Sequence, residues 1–475
     1  MQEHERAWIL YSRVLAASRR SGHAIFLGET SGELVFAPPE HGALVLGPPR
    51  SGKTSSIVVP NVLAAYGPVV AVSTKRDVLD VTHSARERLG DCLIFDPTES
   101  IEGLPRLRRV GWSPLYASQT WDGAVLSAEA MVGASREGRH SPEGSHWTER
   151  AAALLSTIFH GAALGGMAFN EVVSAVNRRE PAQFSSVLSR ADAGQARDLL
   201  KGLTETEERE QSAIWSTASS VLSGYRTRAA LDNASVPSFN AESFVSSVST
   251  LYIAAPAEHQ LHLAPLVAGV LRDIRTAAYR RFAKGTFGER APTLFVLDEL
   301  ANIAPLHDLP ALVAEGASQG VITLACLQDL SQARSRYGPA ADGFLTLFGS
   351  KVILSGSSDV RTLEALSALS GRRDTTTSTR SSTRLAGRIR RQRTVTSSIR
   401  SESRLAVDAI ARPPKGAAIA FIGAEPCRVD LSPCFSSPTW APIVEQSTEH
   451  ERRAPLFDRD RAVRARSSLD RQRSG

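Results

Sequence analysis

Residues 43–56 of the chain read ALVLGPPRSGKTSS. Four apolar residues run directly into Gly47, and Gly52, Lys53 and Thr54 follow at the spacing G-x-x-x-x-G-K-[ST]. Glycines allow backbone N–H groups to approach phosphate oxygens, and the N-terminus of a following helix presents its positive end to them. The stretch therefore predicts a buried strand, a phosphate-binding loop and a helix in succession.

The loop also predicts which ligands bind. Lys53 is expected to reach the β- and γ-phosphates of a nucleotide, and the hydroxyl of Thr54 is expected to bind Mg²⁺. ATP and Mg²⁺ are therefore the predicted cofactors. The predicted nucleotide-binding residues are Gly47, Pro48, Pro49, Arg50, Ser51, Gly52, Lys53, Thr54 and Ser55.

An apolar run that ends in two acids, LFVLDE at residues 294–299, supplies a second element of such a site. A buried strand would carry Asp298 to the sheet edge where α/β proteins bind ligands, which predicts it as a second Mg²⁺ ligand beside Thr54. Glu299 would then orient and deprotonate the attacking water. A third element is Gln328, which closes the apolar run ITLACLQ and is expected to contact the γ-phosphate or its water. The predicted catalytic residues are Lys53, Glu299 and Gln328.

Strand and helix patterns alternate on either side of these motifs, which predicts a parallel sheet covered by helices on both faces. From about residue 120 to 232 the β-branched runs largely disappear and residues with helical spacing dominate. The predicted fold class is therefore α/β, a P-loop domain with a mostly parallel sheet and an inserted all-α domain. The predicted divisions are a lead-in helix and hairpin (1–36), the first part of the nucleotide-binding domain (37–119), the inserted domain (120–232), the second part of the nucleotide-binding domain (233–440) and a basic, disordered tail (441–475).

The positive charge of the chain is concentrated in two segments. The net charge is +6 over 475 residues, and residues 372–403 carry nine arginines against two acids, a local +7. Residues 450–475 carry eight arginines against four acids, a local +4, which leaves −5 for the rest when both are subtracted from +6. Such segmental basicity indicates particular anion-binding elements. For 372–403 two interpretations stay open, contact with nucleic-acid phosphates or a solvated hairpin or linker. A disordered basic end is favoured for 450–475.

Composition argues against several other classes of protein. The four cysteines form no C-x-x-C pair, which predicts buried, reduced thiols of a cytosolic protein. The longest apolar stretch is interrupted by Pro, Asn and Gly, and the N-terminus lacks the form of a signal peptide. We therefore expect a cytoplasmic protein, with any attachment to the cytoplasmic face of the inner membrane made through a partner.

Several segments resemble the TraG/TraD-type coupling proteins of type IV secretion and conjugation. They include GPPRSGKTSSIVVPNVL, LFVLDELANIAPLHDLPALVAEGASQGV, TLACLQDLSQARSRYG, RRVGWSPL and LYIAAPAEHQLHLAPLVAGVL, and the resemblance covers residues 40–425 in order. It implies a RecA-like nucleotide-binding domain with an inserted all-α domain and P-loop ATPase activity. It also implies a homo-oligomeric ring, usually a hexamer, that moves single-stranded DNA, a relaxase–DNA complex or protein toward a secretion channel. No small-molecule substrate beyond the nucleotide is expected.

Three features depart from the family pattern. The strand after the P-loop helix often ends in Asp-Pro-Lys-Gly in the family, whereas here it ends in STKRD (residues 73–77), which keeps Lys75. The N-terminal transmembrane helices that are usual in the family have no counterpart in this sequence. Many members also carry an arginine in a Gly-Arg-x-x-Gly turn, a candidate finger that acts on the neighbouring subunit, whereas this turn contains Ala317. A finger would have to be another residue, for which Arg334, Arg336 and Arg361 are candidates.

Two alternatives to a coupling motor stay open from the sequence. A cytosolic, FtsK/HerA-type translocase of double-stranded DNA fits the missing transmembrane helices, although the segments after Asp298 favour the coupling proteins. A non-hydrolysing, nucleotide-gated docking adaptor fits Ala317, because alanine cannot stabilise transition-state charge. The favoured hypothesis is an ATP-driven translocase that couples DNA or nucleoprotein to a type IV secretion channel.

Overall fold

A large sheet runs through the centre of the protein. The structure is a computed structural model that describes residues 2–101, 107–135, 142–256, 258–285, 291–301, 304, 306–384 and 391–445. Its strands are β1 (Phe26–Thr30), β2 (Glu33–Phe36), β3 (Ala43–Leu46), β4 (Val69–Ser73), β5 (Cys92–Phe95), β6 (Arg108–Arg109), β7 (Thr250–Ala254), β8 (Thr293–Leu297), β9 (Val321–Leu327), β10 (Ser350–Leu354), β11 (Arg372–Arg384), β12 (Arg391–Ser403), β13 (Ala417–Ile422) and β14 (Glu425–Asp430). Strands β11 and β12 form a separate hairpin, and the other twelve form the main sheet.

The order of strands across the main sheet is β2-β1-β14-β13-β10-β3-β9-β8-β4-β7-β5-β6. All neighbours from β10 to β6 are parallel, and the neighbours on the other side of β10 are antiparallel. Strands β3, β4, β8 and β9 are buried along their whole length, because apolar residues dominate both faces and helices cover them. The predicted α/β fold with a mostly parallel sheet is confirmed.

Strand β9 lies between β3 and β8, and this order positions the candidate site. Val45 of β3 pairs with Cys326 of β9, and Leu324 of β9 pairs with Val296 of β8. Because the three strands are parallel, their C-terminal ends meet at one edge of the sheet. The phosphate loop follows the end of β3, Gln328 follows the end of β9, and Asp298 follows the end of β8.

The antiparallel side of the sheet contains β14, a strand that the sequence analysis did not predict. It follows β13 after a two-residue turn in which Gly423 adopts a φ of +62°. Its sequence EPCRVD has little apolar character, and Val429 is its buried residue. Backbone pairing with β13 and β1, rather than burial of an apolar face, therefore places β14 in the sheet.

Helices cover both faces of the main sheet. The α-helices described outside the region between β6 and β7 are α1 (Gln2–Arg20), α2 (Val59–Ala64), α3 (Asp77–Arg86), α12 (Gln260–Ala283), α13 (Leu309–Glu315), α14 (Leu330–Tyr337), α15 (Phe344–Leu347), α16 (Val360–Leu369) and α17 (Val407–Ala411). Most of their buried apolar residues join those of the strands in two large clusters, one on each face of the sheet, and those of α1 join a third cluster with Phe26 and Trp440.

Helices alone occur among the described residues between β6 and β7. They are α4 (Trp121–Ala134), α5 (Pro142–Leu164), α6 (Phe169–Arg178), α7 (Ala182–Arg190), α8 (Gly194–Thr204), α9 (Glu208–Val221), α10 (Arg228–Ser235) and α11 (Ala241–Val245), with short 3₁₀ turns between some of them. Phe169 and Tyr225 contact edge to face in their core, with ring centroids 4.6 Å apart. The predicted domain limits of 120 and 232 stay a prediction.

Trp112 joins this helical region to the sheet. Its indole is 3 % exposed and its Nε1–H donates to Asp273 of α12 over 2.9 Å. A Cβ on Gly269 of α12 would lie 2.3 Å from the indole, so that glycine is required for this close approach. The helical region is therefore fixed to α12, which follows β7 directly in the chain.

The described chain ends by packing against the N-terminal part. Trp440 is 1 % exposed, and its ring contacts Phe26 edge-on at a centroid distance of 5.3 Å. Nearby, the backbone N–H of Cys434 donates to the carbonyl of Ser55 over 2.9 Å, which attaches this segment to the helix after the phosphate loop. Of the predicted tail (441–475), Ile443 and Val444 are buried in this packing, and the residues beyond 445 lie outside the described residues.

Candidate nucleotide site

The backbone of the phosphate loop adopts the shape that its glycines permit. Gly52 has a φ of +93°, and Arg50 also adopts a left-handed conformation with a φ of +64°. A Cβ on Gly47 would lie 2.7 Å from the Oγ of Ser51, so that glycine alone fits below the loop. The predicted helix then begins with a π-helical segment at Thr54–Val58 before α2 continues it. Such π-helical segments occur often at functional sites.

Lys53 and Thr54 lie at the point where the loop becomes helix. The Lys53 ammonium donates to the carbonyl oxygens of Gly47 and Pro48, the second over 3.0 Å. The hydroxyl of Thr54 donates to Oδ2 of Asp298 over 3.0 Å, across 244 residues of sequence. The structure therefore brings the two motifs into direct contact. This contact places a hydroxyl and a carboxylate side by side, the hard oxygen donors that Mg²⁺ prefers.

Asp298 is the buried acid of the site, with 9 % of its surface exposed. Its pKa is raised to about 6, chiefly because burial disfavours the ionised form. The hydrogen bond from Thr54 opposes this rise, whereas the charges of Glu299 and Asp77 add to it. A divalent cation beside Asp298 would favour the ionised form, so that the carboxylate is suited to bind a metal.

Glu299 and Gln328 lie at the same edge of the sheet. Glu299 is half-buried in the turn that follows β8, directly after Asp298. Gln328 is exposed at the end of β9, and its backbone N–H donates to Oε1 of Gln332 over 3.1 Å. Asp329 then caps α14 by accepting the N–H of Gln332. The strand order thus places Gln328 between the phosphate loop and the acidic pair.

Asp77 is a charged neighbour of the site that the sequence analysis did not select. It is the first residue of α3 and raises the pKa of Asp298 through its charge. Its position follows from the sheet, because β4 pairs with β8 and α3 begins shortly after β4 ends. The sequence contained a usable sign, an acid at the start of a helix after a buried strand, but not the pairing that brings it close to Asp298.

The model of the family of type IV secretory system conjugative DNA transfer proteins matches residues 4–407 of the chain. The chain belongs to this family. Membership accords with the motif order that the sequence analysis used. No curated protein sequence matches the chain.

Solved structures of a coupling protein share the fold of this family member. The bacterial conjugative coupling protein TrwBdeltaN70 in an unbound form is 18 % identical with a TM-score of 0.67, over 90 % of this chain and 93 % of that one. TrwB in complex with the GTP analogue GDPNP is 18 % identical with a TM-score of 0.64, over 89 % and 94 %. TrwB in complex with ADP and Mg²⁺ is 19 % identical with a TM-score of 0.62, over 89 % and 93 %. The RecA-like fold that the resemblance implied is thereby confirmed.

The candidate arginines of this conjugative DNA transfer family member are held by other groups. Arg334 donates to Asp342 over 2.8 Å and to Asp359 over 3.1 Å, and Arg361 donates to Asp342 over 2.7 Å. Arg336 donates to the carbonyl of Ala134 over 2.9 Å. These contacts give Arg334 a structural role between α14 and the start of α16.

Ala317 occupies the turn for which the family resemblance implied an arginine. It lies half-buried in a 3₁₀ turn (Ala317–Gln319) that ends at Gly320 with a φ of +86°. Its methyl group packs against the apolar cluster under the sheet. Among the helices that the structure describes, none is long and apolar enough to cross a membrane.

Proposed function

We propose that this chain is an ATP-hydrolysing motor that couples DNA, alone or with a bound relaxase, to a type IV secretion channel. The contact between Thr54 and Asp298 carries the proposal, because it assembles a metal-binding pair beside a phosphate loop from two distant motifs. The family match over residues 4–407 supplies the transport context. TrwB, which shares the fold, has been solved with ADP and Mg²⁺, and we extend those two ligands to this site.

Each site residue receives a defined task in this proposal. The amides of the loop and the Lys53 ammonium bind the phosphates, and Lys53 exchanges its present carbonyl partners for phosphate oxygens. Thr54 and Asp298 would hold Mg²⁺, which would supply positive charge to neutralise the phosphates. Glu299 orients a water and accepts its proton, and Gln328 contacts the γ-phosphate or that water.

The reaction is tested by comparing Glu299→Gln with the wild-type protein. The variant keeps the shape of the side chain but removes the base, so that turnover should fall by about 10²- to 10⁴-fold while nucleotide binding remains. Glu33→Gln is the matched control, since Glu33 is exposed at the start of β2. Absence of turnover in the wild-type protein, with and without DNA, would overturn the enzymatic role.

The same assay separates the motor from a docking adaptor. Ala317 favours the adaptor, because this turn contributes no cation to a neighbouring subunit. Nucleotide-dependent assembly without hydrolysis would support the adaptor, whereas hydrolysis stimulated by single-stranded DNA would support the motor. Stronger stimulation by double-stranded DNA would instead favour an FtsK/HerA-type translocase.

Assembly into a homo-oligomeric ring, for which we propose a hexamer, is a separate part of the proposal. Transport through a ring requires subunits that meet around a channel. If residues of two subunits form each nucleotide site, their association would depend on bound ATP. The mass of the full chain should therefore increase when ATP and Mg²⁺ are added to the Glu299→Gln variant. A mass that stays monomeric under these conditions would contradict the ring.

A further inference from the structure

The hairpin of β11 and β12 lies apart from the main sheet. Its strands pair without a bulge over thirteen residue pairs, from Arg372 with Ser403 to Arg384 with Arg391. At about 3.4 Å per residue the ribbon is roughly 40 Å long. It forms a sheet of its own and joins no strand of the main sheet. A two-stranded ribbon of this length is thus presented by the body of the protein.

The described side chains of the hairpin give it no apolar core. All of them are exposed apart from the half-buried Thr375, and Ile399 is 74 % exposed. Local contacts hold the base of the ribbon, where Arg372 donates to the carbonyl of Ser401 over 2.9 Å and Thr375 donates to that of Arg400 over 3.0 Å. An isolated two-stranded hairpin is at best marginally stable in water, so that a bound partner would add to its stability.

Charge identifies the chemistry of that partner. Residues 372–403 carry nine arginines against Asp374 and Glu402, whereas the chain outside this segment and 450–475 carries a net −5. The same segment contains fourteen serines and threonines, whose hydroxyls donate well to phosphate oxygens. A cationic, hydroxyl-rich ribbon with little apolar surface fits a polyanion and does not fit an apolar protein surface.

The base of the hairpin is attached to the phosphate loop. The N–H of Leu405 donates to Oγ of Ser370 over 3.1 Å, which joins α16 to the segment before α17. The N–H of Gly356, at the end of β10, donates to the carbonyl of Ala411 in α17 over 3.0 Å. Gly356 also lies against Pro48, since a Cβ on this glycine would be 3.1 Å from Cγ of Pro48. A short chain of contacts thus leads from the phosphate loop to the ribbon.

We propose that the β11–β12 hairpin binds the phosphate backbone of single-stranded DNA without sequence preference. This inference rests on the proposed function, because it names the surface by which the motor holds its cargo. Contacts through Gly356 and α17 connect the base of the hairpin to the phosphate loop. The hairpin therefore serves as the arm through which changes at the phosphate loop reach the DNA.

The test is the salt dependence of DNA binding by the full chain. In the hairpin variant, glutamine replaces six arginines of the two strands, at Arg373, Arg380, Arg384, Arg391, Arg393 and Arg400. In the control variant, glutamine replaces six arginines of the tail, at Arg452, Arg453, Arg459, Arg461, Arg464 and Arg466. Both lose the same net charge, so that only its location differs. A third variant carries lysine at the six hairpin positions and keeps the charge.

The readout is the affinity for two fluorescent single strands of unrelated sequence at several salt concentrations, with ATPase activity measured in parallel without DNA. Each phosphate contact adds about 0.7 to the slope of log affinity against log salt for single strands. The hairpin variant should therefore lose up to about four units of slope on both strands, while the tail and lysine variants keep the wild-type slope. Basal ATPase activity should be the same in all four proteins.

Three results would overturn the inference. The first is an unchanged slope in the hairpin variant, and the second is an equal loss in the hairpin and tail variants. The third is a smaller assembled mass of the hairpin variant with unchanged DNA affinity, which would make the ribbon a contact between copies of the chain. Loss of the slope in the hairpin variant, with no ATP turnover in any protein, would support the hairpin surface but overturn the motor.

Discussion

Replacing Asp298 by asparagine tests the electrostatics of the candidate metal site. Asparagine is close to aspartate in size, and its side-chain oxygen can still accept the hydrogen bond that Thr54 now donates to the carboxylate over 3.0 Å. The substitution therefore removes the charge and little else. We expect the metal-free variant to be more stable than the wild-type protein at pH 8, and to lose Mg²⁺-dependent nucleotide hydrolysis.

The size of the stability gain follows from the pKa of Asp298. Burial raises it from 3.8 to about 6 in the folded protein. One pKa unit corresponds to about 1.4 kcal/mol, so that the ionised carboxylate costs the folded state roughly 3 kcal/mol. Because the folded pKa is the higher one, this cost is present in full above about pH 6 and absent below about pH 4. The advantage of Asp298→Asn should therefore appear as the pH rises through this window.

Thermal unfolding of both proteins in a chelator, without nucleotide, at pH 4 and pH 8 measures the effect. Titration of all other groups is common to the two proteins, so that the difference between them isolates Asp298. A change of 1 kcal/mol moves the melting temperature by about 2–4 °C in domains of 150–250 residues, and this larger chain should shift by about 5 °C at pH 8. An equal rise in melting temperature at both pH values, or a lower melting temperature at pH 8, would contradict the raised pKa of Asp298.

Three further substitutions have defined outcomes. Trp440→Ala should lower the free energy of unfolding by about 3–5 kcal/mol, because it empties a fully buried site beside Phe26. Thermal unfolding of the variant will show whether the C-terminal segment belongs to the core. Lys53→Met should weaken ATP binding about 10- to 150-fold in titration calorimetry, since a charge-assisted hydrogen bond is worth about 1.5–3 kcal/mol; wild-type affinity would remove Lys53 from the site. Arg334→Met should leave basal ATPase activity intact and reduce its stimulation by DNA, because it breaks the ion pair with Asp359 that joins α14 to α16. Loss of basal ATPase activity would instead favour Arg334 as an arginine finger.

The parts of the site that lie close together in the sequence were predictable from it. The spacing of Gly47, Gly52, Lys53 and Thr54 reflects the local geometry of a loop, and the apolar run before Asp298 reflects a buried strand. In each case short-range sterics and burial fix the structure, so that the sequence pattern suffices. The proximity of Thr54 and Asp298, which are 244 residues apart, was also expected, because both were predicted to bind one Mg²⁺ at the C-terminal edge of a parallel sheet.

Features that depend on strand order or on backbone pairing were not predictable in this way. The charge of Asp77 reaches Asp298 because β4 lies beside β8, and no local pattern encodes that pairing. Strand β14 carries a proline and few apolar residues, so that its composition argues against a strand. Its backbone nevertheless pairs with β1 on one side and with β13 on the other. Propensity is a weak guide where hydrogen bonds to two neighbours decide the conformation.

The hairpin of β11 and β12 is another element that composition alone could not predict. Its composition of arginine, serine and threonine left two interpretations open, contact with nucleic-acid phosphates or a solvated hairpin or linker. The thirteen regular residue pairs settle the backbone, and the contacts of Gly356 with Pro48 and Ala411 tie its base to the phosphate loop. A solvated linker does not require thirteen regular residue pairs, whereas a DNA-binding arm needs both an extended cationic surface and a connection to the site of hydrolysis. The combination of regular pairing, segmental charge and attachment is therefore what favours an arm, and none of the three would do so alone.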